Sequence, residues 1–185
     1  SSSESTRTYP YLKNLSNKIT MYPVFSASQL NVYLKIYSKG KAFVTPTVKF
    51  SSKSTKALNI NVDDHINSNN LEDVSAFSLI VKSKNRKIPT RINHQLIYGD
   101  KKKSNALQCS INLSLTNKKV FVPKYKTGFV WGQSINHENY SSKIAFCFKT
   151  SEGKKDIIKV NFYNENGKVK TLSKSLDPKK SVIID

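Results

Sequence analysis

Leu107-Gln108-Cys109-Ser110-Ile111-Asn112-Leu113-Ser114-Leu115 decides the fold class. Apolar side chains at 107, 109, 111, 113 and 115 alternate with polar ones between them. That period of two is the mark of a strand with one face buried. The pattern recurs along the chain. Val32, Leu34 and Ile36 alternate with Tyr33, Lys35 and Tyr37 ahead of a Lys39-Gly40-Lys41 turn. Residues 43–50 follow, where Pro46 implies an edge strand or a bulge, because proline cannot donate to a ladder. Leu58, Ile60 and Val62 alternate with Asn59, Asn61 and Asp63. Residues 75–81 and 88–98 read as a further pair of strands, and 144–148, 157–163 and 181–184 complete the set. Asn164-Glu165-Asn166-Gly167 reads as a hairpin turn, since Asn-Gly tolerates the positive φ that tight turns require. No segment has a helical period with caps, and at most one turn of helix fits within residues 63–74.

The expected fold is therefore all-β: an antiparallel β-sandwich of jelly-roll or immunoglobulin-like type, with roughly 10–12 strands and little or no helix. Residues 1–12 are expected as an extended N-terminal segment and 13–185 as a single sandwich domain. An alternative division has two small β-units meeting near residues 99–104. It rests on the likeness of Val32-Tyr33-Leu34-Lys35-Ile36-Tyr37 to Ile158-Lys159-Val160-Asn161-Phe162-Tyr163, each leading through Gly-Lys to a threonine.

Charge narrows the partners. The chain holds 28 Lys and 3 Arg, and its formal net charge is +19. Lysine runs at 101–103, 118–119, 154–155 and 179–180 fall in expected turns, and Lys35, Lys49 and Lys159 on outward strand positions. Lysine there discourages edge-to-edge pairing. The same charge attracts polyanions, so an anionic polysaccharide is an expected partner. Arginine, whose planar fork binds phosphate and guanine bidentately, is nearly absent, so nucleic acid is expected only as a non-specific partner. No apolar run approaches the roughly 18–20 residues that span a bilayer, and no membrane span is expected. The polar start at Ser1, without an apolar leader, reads as a processed or trimmed end of an extracellular or cell-surface protein.

Catalytic chemistry is not expected. There is no nucleophile elbow, phosphate-binding loop or dinucleotide fingerprint. His65, His94 and His137 fall on separate elements without partners at ligand spacing. Asp63-Asp64-His65 reads as a solvated acidic turn with too few oxygens for a hard cation. No catalytic residue, metal or cofactor is expected. Cys109 lies on the Leu/Ile face of its strand, whereas Cys147 shares a face with Ala145 and Lys149. A disulfide between Cys109 and Cys147 stays open at this level, since it needs the two Cβ atoms within about 4 Å.

Two stretches are candidates for binding. Residues 121–133 hold the single tryptophan, and Trp131, Tyr125 and Phe129 interleave there with Lys124 and Lys126. Exposed, they form a platform for a sugar ring, a base or a partner's apolar side chain; buried, they are core. In the run 88–99, Arg91, Asn93 and Gln95 share one strand face, a row suited to hydrogen bonding with glycan or a neighbouring subunit.

Phe77-Ser78-Leu79-Ile80-Val81, a short charged turn and Ile88-Pro89-Thr90-Arg91-Ile92-Asn93-His94-Gln95 resemble the sensory rhodopsin transducer family. So does Tyr163-Asn164-Glu165-Asn166-Gly167-Lys168 followed by Leu176-Asp177-Pro178. The resemblance implies a small all-β sandwich that oligomerises and binds partners without catalysis, and it assigns no site residue. The expected function is thus a non-enzymatic secreted or surface structural protein that self-assembles through β-sheet edges into a homo-oligomer. The alternative is a binding module for an anionic polymer or glycan. A jelly-roll coat protein of a virus or phage is the third reading, although residues 1–12 supply only Arg7 as a basic arm.

Overall fold

A computed structural model describes residues 4–23, 29–51, 55–83, 92–102, 109–114, 116–117, 132, 134, 136–147, 156–177 and 181–184. Its strands are β1 (Glu4–Pro10), β2 (Leu15–Met21), β3 (Leu30–Ser38), β4 (Lys41–Val44), β5 (Val48–Phe50) and β6 (Leu58–Asn61). Helix α1 (Val62–Ser68) precedes β7 (Val74–Ser83), β8 (Asn93–Asp100), β9 (Cys109–Ser114) and β10 (Thr116–Asn117). Then come β11 (Asn136–His137), β12 (Tyr140–Ser141), β13 (Ile144–Phe146), β14 (Asp156–Asn164), β15 (Gly167–Leu176) and β16 (Val182–Ile184). Strand dominates the described residues and α1 is the helix among them, so the protein is all-β. Ten of the strands described are four residues or longer; the other six are pairs or triplets.

A six-stranded sheet runs β10-β1-β7-β3-β4, with β5 also paired to β3, and a four-stranded sheet runs β6-β2-β8-β9. Three two-stranded ribbons, β11-β12, β13-β16 and β14-β15, complete the described pairings, all antiparallel. Alternation dictates the facing. In β3, Leu30, Val32, Leu34 and Ile36 are buried, and in β2 Asn17, Ile19 and Met21 are. One hydrophobic cluster collects residues of both large sheets and α1, including Tyr9, Ile19, Leu34, Phe77, Leu79, Leu96 and Ile66. Tyr9 lies against Phe77 with ring centroids 5.7 Å apart. Pro46 lies between two short strands: residues 43–50 divide into β4 and β5, which among the described residues pair only with β3.

Strand β7 is buried on both faces. Phe77, Leu79 and Val81 enter the core, while Ala76, Ser78 and Ile80 on the opposite face are also covered. Tyr33 and Tyr37 of β3 stand opposite Ile80 and Ala76, and the Tyr37 hydroxyl hydrogen-bonds Ser78 Oγ at 3.2 Å. Small residues on β7 thus make room for tyrosines of its neighbour.

Several pairings depart from the sequence reading. Among the described residues, 75–81 and 92–98 do not pair with each other: β7 lies between β1 and β3, and β8 between β2 and β9, in different sheets. Residues 4–10 of the extended segment form β1, which pairs with the chain's own β7 from Glu4↔Lys82 to Pro10↔Ala76. Pairing also crosses the 99–104 stretch, since β8 joins β9 and β1 joins β10. Helix α1 exceeds the single turn expected within 63–74: it has seven residues and starts at Val62, which the alternation places in a strand. Asn61 caps it by accepting from the Asp63 N–H at 3.2 Å.

Candidate functional site: the outer face of the four-stranded sheet

The face of β6-β2-β8-β9 turned away from the core is polar. Its residues come from the alternate positions of each strand: Asn59 and Asn61 on β6, Lys18 and Thr20 on β2, Asn93 and Gln95 on β8. Register lines them up across the sheet. Thr20 stands opposite both Asn59 and Gln95, and Lys18 opposite both Asn61 and Ile97. Two side-chain bonds hold the row: Thr20 Oγ1 donates to Asn59 Oδ1 at 2.8 Å, and the Tyr22 hydroxyl donates to Gln95 Oε1 at 2.7 Å. Tyr22, just past β2, is 44% exposed. The face therefore presents amides, a hydroxyl, one ammonium and one aromatic ring on hydrogen-bonded strands. Amides and hydroxyls both donate and accept, which matches the hydroxyls of a sugar.

Beside this face, a groove of about 250 Å³ follows the β6 edge. Tyr33, Pro46 and Val48 line it from the six-stranded sheet and its 45–48 turn, and Asn59, Asn61 and His65 from β6 and α1.

Of the expected binding residues, Asn93 and Gln95 lie on the polar face, Asn93 exposed and Gln95 half-buried. Arg91, Lys124, Tyr125, Lys126, Phe129 and Trp131 lie outside the described residues. Lys18, Thr20, Tyr22 and Asn59 were not singled out beforehand. Their signal was the alternation of Asn17, Ile19 and Met21 with Lys18 and Thr20, which marks β2. Cys109 lies in β9, and Cys147 carries a free, half-buried thiol. Burial raises the Cys147 thiol to about 11, which keeps it protonated at neutral pH.

Asp63 and His94 are tied into the fold. Asp63 is buried at the start of α1, not solvated as expected. It accepts from the Tyr11 hydroxyl at 2.8 Å and the Asn17 N–H at 2.8 Å, and Lys101 Nζ stands 3.3 Å away. Lys101 also donates to the Lys13 carbonyl at 2.8 Å, so one carboxylate joins α1 to β2 and to the ends of β1 and β8. His94 is fully buried on β8, and its Nε2 hydrogen-bonds the Tyr9 hydroxyl from the opposite sheet. Burial first, then the Arg7 charge, lowers the His94 pKa to about 4, and the Ile92 backbone opposes this least strongly. Nδ1 of that ring makes no hydrogen bond of normal geometry. Burial also raises the Tyr9 phenol. Among the described residues no three His, Cys, Asp or Glu side chains gather as a metal site. No family model, curated protein or solved structure matches the chain.

Proposed function

We propose that this protein is a non-enzymatic glycan-binding module that holds its ligand on the outer face of the four-stranded sheet. The observation that carries the reading is the register that sets Asn59, Thr20 and Gln95 in one row beside the exposed Tyr22. Flat strand faces suit extended chains: the amides and hydroxyl bond to sugar hydroxyls, and the ring covers an apolar sugar face. The buried setting of His94 and the capped, hydrogen-bonded Asp63 support a structural role for these groups over a catalytic one. The test is binding to an array of neutral and acidic glycans by wild type and by the variants Tyr22→Ala and Gln95→Ala. Each variant is expected to weaken binding about tenfold, equivalent to roughly 1.4 kcal/mol. Equal binding by wild type and both variants overturns the reading.

Self-assembly through sheet edges keeps one specific support. Among the described residues, β14 and β15 pair only with each other, which leaves a two-stranded ribbon of the kind that gains stability from added strands.

A further inference from the structure

The hairpin of β14 and β15 has two chemically distinct faces. On β14, Ile157, Lys159, Asn161 and Tyr163 are exposed, whereas Ile158, Val160 and Phe162 between them are half-buried. The exposed partners on β15 continue the outward face: Ser173 opposite Lys159, Thr171 opposite Asn161 and Lys168 opposite Tyr163. The last pairing depends on a β-bulge. Phe162 faces Lys170, so regular pairing would set Val169 against Tyr163; the register shift at Phe162/Tyr163 puts Lys168 there instead. The shift sets Lys168 beside Tyr163, and Val169 next to it is also exposed.

We propose that this solvent face is a contact surface for an acidic polysaccharide. Lys159 and Lys168 stand on it about 13 Å apart along the strand direction, with exposed Ile157 beyond Lys159. Asp156, at the root opposite Leu176, and Glu165, in the turn, are the acids of the hairpin, and neither occupies a facing position between the two lysines. Between the cations lie Asn161, Thr171 and Ser173, with the Thr171 hydroxyl donating to Asn161 Oδ1 at 2.8 Å. Tyr163, 53% exposed, adds a ring beside Lys168. Lysines supply point charges for carboxylate or sulfate groups, and the amide and hydroxyls bond to sugar hydroxyls. No arginine lies in the hairpin to read phosphate or guanine bidentately, which favours a polysaccharide over a nucleic acid. This surface does not depend on the sheet-face reading.

The test compares wild type with two double variants of equal charge: Lys159→Gln/Lys168→Gln on the solvent face and Lys170→Gln/Lys174→Gln on the other face. The probe is heparin, titrated over a range of salt concentrations, with duplex DNA and neutral dextran alongside. The solvent-face pair is expected to weaken heparin binding about tenfold and to reduce the salt slope by about two, one for each lysine. The opposite-face pair is expected to change it less than threefold, and Tyr163→Ala to weaken it without altering the slope. Equal losses from both pairs mean diffuse attraction and overturn the proposal, as does tighter binding to DNA than to heparin. If wild type ignores heparin, this surface is refuted, while glycan-array binding that depends on Tyr22 leaves the sheet-face reading intact.

Discussion

His94 is a buried histidine held neutral by its surroundings. Its folded pKa, about 4, lies below the ordinary 6.5, so folding favours the uncharged ring. The resulting stability is fully present above pH 6.5 and is lost as pH falls towards 4, because the unfolded chain takes up the proton first. Between pH 7.5 and 5 the loss is about 2 kcal/mol. Denaturant midpoints of wild type and His94→Gln at both pH values check this: the wild-type midpoint is expected to drop by more than the variant's. Parallel drops would show that His94 does not carry the acid sensitivity. His94 is readable in the sequence as a core-facing position between Ile92 and Leu96. Its partner is not, because Tyr9 is 85 residues away in the other sheet.

Two of the described hairpin turns show what an element's sequence specifies. Lys39 and Gly40 both have positive φ, 47° and 81°, the conformation a two-residue turn between β3 and β4 requires. In the β14–β15 turn the positive φ falls on Gly167, at 114°, whereas Glu165 and Asn166 keep negative values. Asn166 N–H donates to Asn164 Oδ1 at 2.9 Å, an Asx turn that closes the bend. A Cβ at Gly167 would meet no atom within 4 Å, so only the backbone opposes a side chain there. Gly167→Ala is expected to cost about 1 kcal/mol through this backbone conformation alone. Backbone amide exchange should then rise in β14 and β15 and stay constant in β3 and β7. Unchanged hairpin protection would contradict the turn assignment. The turn was legible from Asn-Gly; the bulge at Phe162/Tyr163 was not, since the alternation reads equally well in regular register.

At the scale of the molecule, the chain passes repeatedly between the two large sheets. β1 joins the six-stranded sheet and β2 the four-stranded one; β3 to β5 return to the first, β6 to the second, and α1 leads back to β7. The N-terminal strand is therefore structural. Tyr9 fills the core between Phe77 and His94, and the Tyr98 hydroxyl donates to the Pro10 carbonyl at 2.7 Å, so β1 binds both sheets. Deleting residues 1–10 opens the β7 edge and removes a buried tyrosine, and aromatic truncation alone costs about 3–5 kcal/mol. The truncated chain is expected to lose cooperative thermal unfolding, followed by circular dichroism. A cooperative transition close to that of wild type would show β1 to be dispensable.

Sequence by itself determined that the chain is built of strands and, in β3 and β8, which side chains face inward. A period of two is local, and a strand with one wet face must write it into adjacent residues. It also placed Asn93 and Gln95 on one outward face and made the surface cationic. Only the tertiary structure decided which strands are neighbours. Alternation states a facing without naming a partner, so β7 and β8, read as a pair, separate into different sheets. The same holds for the candidate site. Asn59, Thr20 and Gln95 come from three strands, and long-range backbone pairing alone sets them side by side.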